Sequence, residues 1–63
     1  MTNKEKQTAI AHTLYACGII TETEMNRIVN ARFSYDLVET MIDIQHGIIA
    51  PEIGRTFLVR MTK

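Results

Sequence analysis

The chain writes Gly-Ile-Ile twice, at Gly18–Ile20 and at Gly47–Ile49, each time between stretches with helical hydrophobic spacing. A glycine just after such a stretch supplies the left-handed residue that ends a helix without a Cβ clash. Two of them within 63 residues divide the chain into short helices that reverse direction. A single long rod is thereby excluded, and helical hairpins become the expected unit.

The first segment, Asn3 to Cys17, puts Ile10, Leu14 and Cys17 on one stripe with Ala11 beside it. Thr2 and Glu5 fit a capping box, in which each side chain satisfies a backbone N–H that the helix leaves unpaired. With Gly18 just past the helix end, Ile19 is placed to fold back onto Leu14. The string TETE, Thr21 to Glu24, repeats the capping box, and Ile20 and Met25 stand at the two positions of a hydrophobic staple. Glu22 and Glu24 suit the positive end of the helix dipole. Met25, Ile28, Val29 and Phe33 form the apolar face of this second helix, leaving Asn26, Arg27 and Asn30 to water.

Ser34 caps a third helix whose apolar residues are Leu37, Val38, Met41 and Ile42, with Asp36 in its first turn and Phe33 stapled onto Val38. His46 and Gly47 end it, and Ile48 is placed to fold back on Ile42. Beyond the second Gly-Ile-Ile, Ala50 is a weak cap, but Pro51 and Glu52 suit a first helical turn. Gly54 stands where a staple residue belongs, and inside a helix it costs about 1 kcal/mol relative to Ala.

From Arg55 two patterns compete. As a helix, Ile53, Phe57, Leu58 and Met61 make an apolar stripe; as a strand, Phe57, Val59 and Met61 alternate against Thr56, Leu58 and Arg60. A strand would have to pair across a dimer, because nothing else in the chain reads as a partner for it. The expectation is therefore an all-α fold: one domain, residues 1–63, of three to four short helices in two hairpins, 3–33 and 35–61, packed apolar face to apolar face.

Composition narrows the class of function. At 46% hydrophobic and 22% charged, the chain has a folding rather than a disordered composition. A domain this small gains little net stability from its own core, which makes association with itself or with a larger protein a natural expectation. Seven basic residues balance seven acidic ones, so no global field favours nucleic acid or a membrane surface. The lone Cys17 makes no internal disulfide, the opening MTNKEKQTA lacks the apolar core of a signal peptide, and no run approaches the ~18 apolar residues of a membrane span. A cytoplasmic protein is expected.

The string LYACGIITETEMNRIV, inside Lys4 to Phe33, resembles the short helical module called SHOCT. Such modules join an amphipathic helix, a Gly followed by two apolar residues and Thr or Ser, and an acidic start to a second amphipathic helix. The resemblance covers about half the chain. It implies a small oligomerisation or interaction hairpin with no catalytic role, of a look common among bacteria, phages and mobile elements.

Catalytic chemistry has no foothold in the pattern. His12, Cys17 and His46 are the only non-carboxylate metal ligands, without Cys-x-x-Cys or His-x-x-x-His spacing. Cys17 reads as a small core residue and both His as surface groups. Ser34 is explained as a cap and Glu22 and Glu24 by the dipole, and a chain this short is not expected to enclose a pocket of ~300 Å³. No enzyme activity, metal, cofactor or small-molecule substrate is expected.

Two readings remain. Tyr35, Met41, Ile44, Ile48, Ile49, Ile53, Phe57, Leu58, Val59 and Met61 are more large apolar residues than one small hairpin face buries. A protein-binding module follows, a regulator, adaptor or inhibitor that docks on itself or on a larger protein; Tyr35, Met41, Ile44, Ile48, Ile49, Phe57, Leu58 and Met61 are its candidate contacts. The alternative is a small DNA-binding regulator using Arg55, Arg60 and Lys63, since a reading helix begun by Glu22 and Glu24 would be repelled by phosphates.

Overall fold

Thr2 Oγ1 accepts the Glu5 N–H at 3.1 Å, and the Glu5 carboxylate accepts the Thr2 N–H at 3.0 Å. This closed capping box starts α1, Asn3–Ala16, in a computed structural model that describes residues 2–62. At its other end Gly18 takes φ +75°, its N–H bonding Tyr15 O at 2.9 Å while the Ile19 N–H reaches Leu14 O at 3.0 Å. Both bonds of a Schellman ending are present. The second capping box, Thr21 with Glu24, opens α2, Glu22–Asn30.

Ser34 Oγ accepts the Leu37 N–H and begins α3, Tyr35–Gln45, which closes like α1. Gly47 lies at φ +76°, and the N–H groups of Gly47 and Ile48 return to Ile44 O and Asp43 O. Ala50 makes no side-chain cap, and Pro51 occupies the first position of α4, Pro51–Met61. The strand pattern over residues 55–61 is not realised: the segment is helical, and no strand occurs among the described residues. Pro51 and Glu52 at a helix start outweigh the β preference of Thr-Phe-Leu-Val, which in a single chain has no neighbour to pair with.

The four helices form two hairpins, α1 with α2 and α3 with α4. They are joined through α1 against α3 and, more lightly, α2 against α4. One shared core results, made of Ala11, Leu14, Ile20, Met25, Ile28, Leu37, Val38, Met41, Ile44 and Leu58. The radius of gyration, 10.1 Å, is close to the ~10.6 Å expected of a folded chain this long, so the hairpins close on each other rather than splay.

Several faces are rotated from the expected ones. Cys17 is exposed rather than in the core, because it is the C-cap where the backbone leaves the helix. The inward face of α1 is Gln7, Ala11 and Leu14, with Ile10 only partly covered. Phe33 lies beyond the end of α2, half-buried, with its ring edge-on to Tyr35 at 5.2 Å between centroids. Ile48 does not tuck onto Ile42; its backbone closes the Schellman bond, but its side chain stands in solvent.

The junction between the hairpins has no glycine. Residues 31–34 connect the α2 C-cap at Ala31 to the α3 N-cap at Ser34, both with extended backbone angles. Their polar groups are met from α1. The fully buried Gln7 donates from Nε2 to Ile28 O at 3.2 Å and Arg32 O at 3.3 Å, and its Oε1 accepts the Ser34 N–H at 3.1 Å. Lys4 Nζ donates to Val29 O at 2.7 Å and to Ala31 O. An ammonium there also faces the negative end of α2.

Candidate functional site

The outward side of α4 is the surface on which apolar residues concentrate, and Gly54 decides how α4 is turned. A Cβ on Gly54 would run into Cγ1 and Cδ1 of Ile44, with Ile49 Cγ2 at 3.5 Å. Without one, α4 seats close on α3, burying Gly54 and Leu58 one turn apart. Helical spacing then places the ridge at i, i+4 and i+8 next to them outside: Ile53, Phe57 and Met61 are 55%, 39% and 41% exposed. Ile48, in the turn that leads into α4, is 70% exposed. Beside this apolar ridge runs a second exposed one, Glu52, Thr56 and Arg60.

The expected docking residues divide accordingly. Phe57, Met61 and Ile48 are on the surface, and Tyr35 is 74% exposed at the start of α3. Ile49 is half-buried against the core. Met41, Ile44 and Leu58 are corrected: all three are interior, and no partner reaches them without unfolding the bundle. A core counted one hairpin at a time leaves them outside, whereas α1 also packs on α3 and gives Met41 and Ile44 a common interior. Ile53, absent from those contacts, belongs to the site. The signal for it was present, since Gly54 and Leu58 four apart mark the inner face and leave residue 53 outside.

The basic cluster is divided as well. Arg55 is not a free cation: its Nε donates to both Glu24 carboxylate oxygens at 3.1 and 3.2 Å, and its Nη2 lies 3.1 Å from Glu24 Oε1. Glu24 at the same time accepts the Thr21 N–H at 2.8 Å, so one carboxylate caps α2 and ties it to α4. Burial acts to raise its pKa, but the Thr21 N–H, the Arg55 guanidinium and the Thr21 hydroxyl outweigh it and hold Glu24 below the ordinary glutamate value. Arg60 is exposed, and Lys63 lies outside the described residues.

Depressions of about 480 and 410 Å³ do occur, larger than the length of the chain suggested. They are open clefts between helices rather than enclosed cavities, one lined by Glu24, Glu52, Arg55, Thr56, Val59 and Arg60, the other by α2 residues with Ala31 and Thr62. Among the described residues no three His, Cys, Asp or Glu side chains come together, and His12 and His46 are both exposed. No helix among them is long and apolar enough to cross a membrane. No family model, curated protein or solved structure matches the chain.

Proposed function

We propose that this chain is a non-enzymatic protein-interaction module, a regulator, adaptor or inhibitor of the cytoplasm, and that the outward side of α4 is its docking face. The observation that carries the reading is the exposed ridge Ile53, Phe57 and Met61, with Ile48 at its head. Scattered surface apolar residues need no explanation, but a ridge of three consecutive large ones along a single helix marks a contact surface. Recognition through one helix face, read at positions four apart, is an established mode of protein association. The SHOCT-like reading of the α1–α2 hairpin belongs to the same proposal, with that hairpin as the support on which α3 and α4 are mounted.

The test is affinity capture with the tagged protein from nuclease-treated lysate of the source cell, set against the double variant Ile53→Asp, Phe57→Asp. Both positions are exposed, so the variant keeps its fold, which circular dichroism verifies. Proteins retained by the native chain and lost by the variant support the module. Equal retention by both removes α4 as the docking face. Salt-sensitive duplex binding that disappears on changing Arg55 and Arg60 to Glu would put a nucleic-acid regulator in its place.

A further inference from the structure

The two exposed ridges of α4 each complement their own reversal. The apolar ridge reads Ile53, Phe57, Met61, aliphatic at both ends with an aromatic centre; the polar ridge reads Glu52, Thr56, Arg60, acid at one end and base at the other. Among the described residues neither Glu52 nor Arg60 has an ion-pair partner, the sole salt bridge being that of Arg55 with Glu24. We propose that the occupant of this face is a second copy of the chain, with its α4 laid antiparallel across a twofold axis at Phe57 and Thr56. The inference rests on α4 being the docking face and adds what covers it.

A twofold interface brings residue i against j and j against i. With the axis at the middle of the ridge, Phe57 meets Phe57 and Ile53 meets the partner's Met61. On the flank Glu52 faces the partner's Arg60, and the twofold forms this ion pair twice. A parallel pairing would carry the two charged rows to opposite sides of the seam, where neither Glu52 nor Arg60 meets an opposite charge, so charge selects the antiparallel arrangement. An acid at the start of a helix and a base at its end also suit the helix dipole. That accounts for the order of the two charges but not for their lying along the flank of the apolar ridge. The ridge spans about 12 Å of helix, which makes the interface a small one and the dimer a reversible one.

Sedimentation equilibrium of the full chain, from about 10 µM to 1 mM at low salt, tests the pairing in the range expected of a small interface. The native chain is expected to dimerise with concentration, and Glu52→Arg or Arg60→Glu alone to weaken the dimer roughly tenfold by replacing attraction with repulsion at both flanks. Mixing the two single variants is expected to restore association, because one chain then carries two bases and the other two acids. The double variant Glu52→Arg, Arg60→Glu is expected to dimerise like the native chain, and the weakening by either single reversal is what a parallel pair does not explain. All these positions are exposed, so folding is preserved in every arm. A native chain that stays monomeric throughout, or a dimer indifferent to the reversals, overturns the self-pairing. If it fails while another protein is still captured through Ile53 and Phe57, the module stands and only its occupant changes; if that capture fails as well, both fall.

Discussion

The Gln7 side chain and the Ser34 backbone are joined across 27 positions of sequence, Oε1 accepting the Ser34 N–H at 3.1 Å. The same amide donates to Ile28 O and Arg32 O, so one buried side chain completes the end of α2 and the start of α3. Replacing it by an apolar residue of similar size leaves the Ser34 N–H and Arg32 O without partners in a part-buried site, while Ile28 O keeps only the Ala31 N–H. Each such group costs about 1–3 kcal/mol.

Gln7→Leu is therefore expected to destabilise the domain by roughly 2–4 kcal/mol, although leucine is the more hydrophobic residue. Gln7→Glu should be worse at neutral pH, because a carboxylate cannot donate to the two carbonyls. Urea unfolding followed by far-UV circular dichroism measures both. An unchanged midpoint for Gln7→Leu would mean that the network contributes nothing.

The contrast with the glycine junctions shows what a single sequence discloses. Thr2, Thr21, Ser34, Gly18 and Gly47 act on backbone groups within a few residues of themselves, so spacing alone identifies them. Gln7, Lys4 and Arg55 act on groups 21 to 31 positions away, and no local pattern tells them from ordinary polar surface residues. The candidate site divides in the same way. The apolar character of α4 is legible in its residues, but its rotation depends on the meeting of Gly54 with Ile44, which is a fact of tertiary structure.

That meeting makes a prediction about sign. In an isolated helix Gly54→Ala would stabilise by about 1 kcal/mol. Here the new methyl meets Cγ1 of a β-branched residue with little rotamer freedom, and overpacking costs typically 1–3 kcal/mol. Gly54→Ala should be neutral to destabilising in the native chain and stabilising in an Ile44→Ala background, where the obstructing atoms are gone. A double-mutant cycle by chemical denaturation reads the coupling. Additive effects would show that Ile44 does not constrain position 54.

The pairing of Glu24 with Arg55 carries a pH dependence. The Glu24 pKa is lowered in the folded state, so the contribution of the ionised group is complete above the unfolded glutamate value of about 4.3. It is lost as pH falls through the lower folded value, where the carboxylate takes up a proton. Glu24→Gln keeps the capping geometry and removes the charge. It should cost about 0.5–1 kcal/mol at pH 7, the range of a partly exposed ion pair, and nothing once the pH lies below the lowered folded value, where both forms are neutral. A difference that stays constant between those pH values would assign the effect to shape rather than charge.

Gly18 and Gly47 have nearly the same backbone conformation, and at neither does an added Cβ meet anything within 4 Å. The whole penalty of an L-residue there is consequently conformational, and Gly18→Ala and Gly47→Ala should each destabilise by about 1–2 kcal/mol. The opposite hand should do the reverse. D-alanine prefers positive φ, and at these positions it would lower the entropy of the unfolded chain without straining the folded one. A gain of about 0.4–1 kcal/mol per site is expected on that ground. A chain of 63 residues is within reach of chemical synthesis by ligation, so the comparison of Gly, L-Ala and D-Ala can be made directly by thermal and urea unfolding. Stabilisation by D-Ala at both sites, with L-Ala destabilising by similar amounts at each, would establish that the repeated glycine does one job twice. Destabilisation by both hands at either site would show that the space along the second Hα, into which the D-methyl projects, is closed.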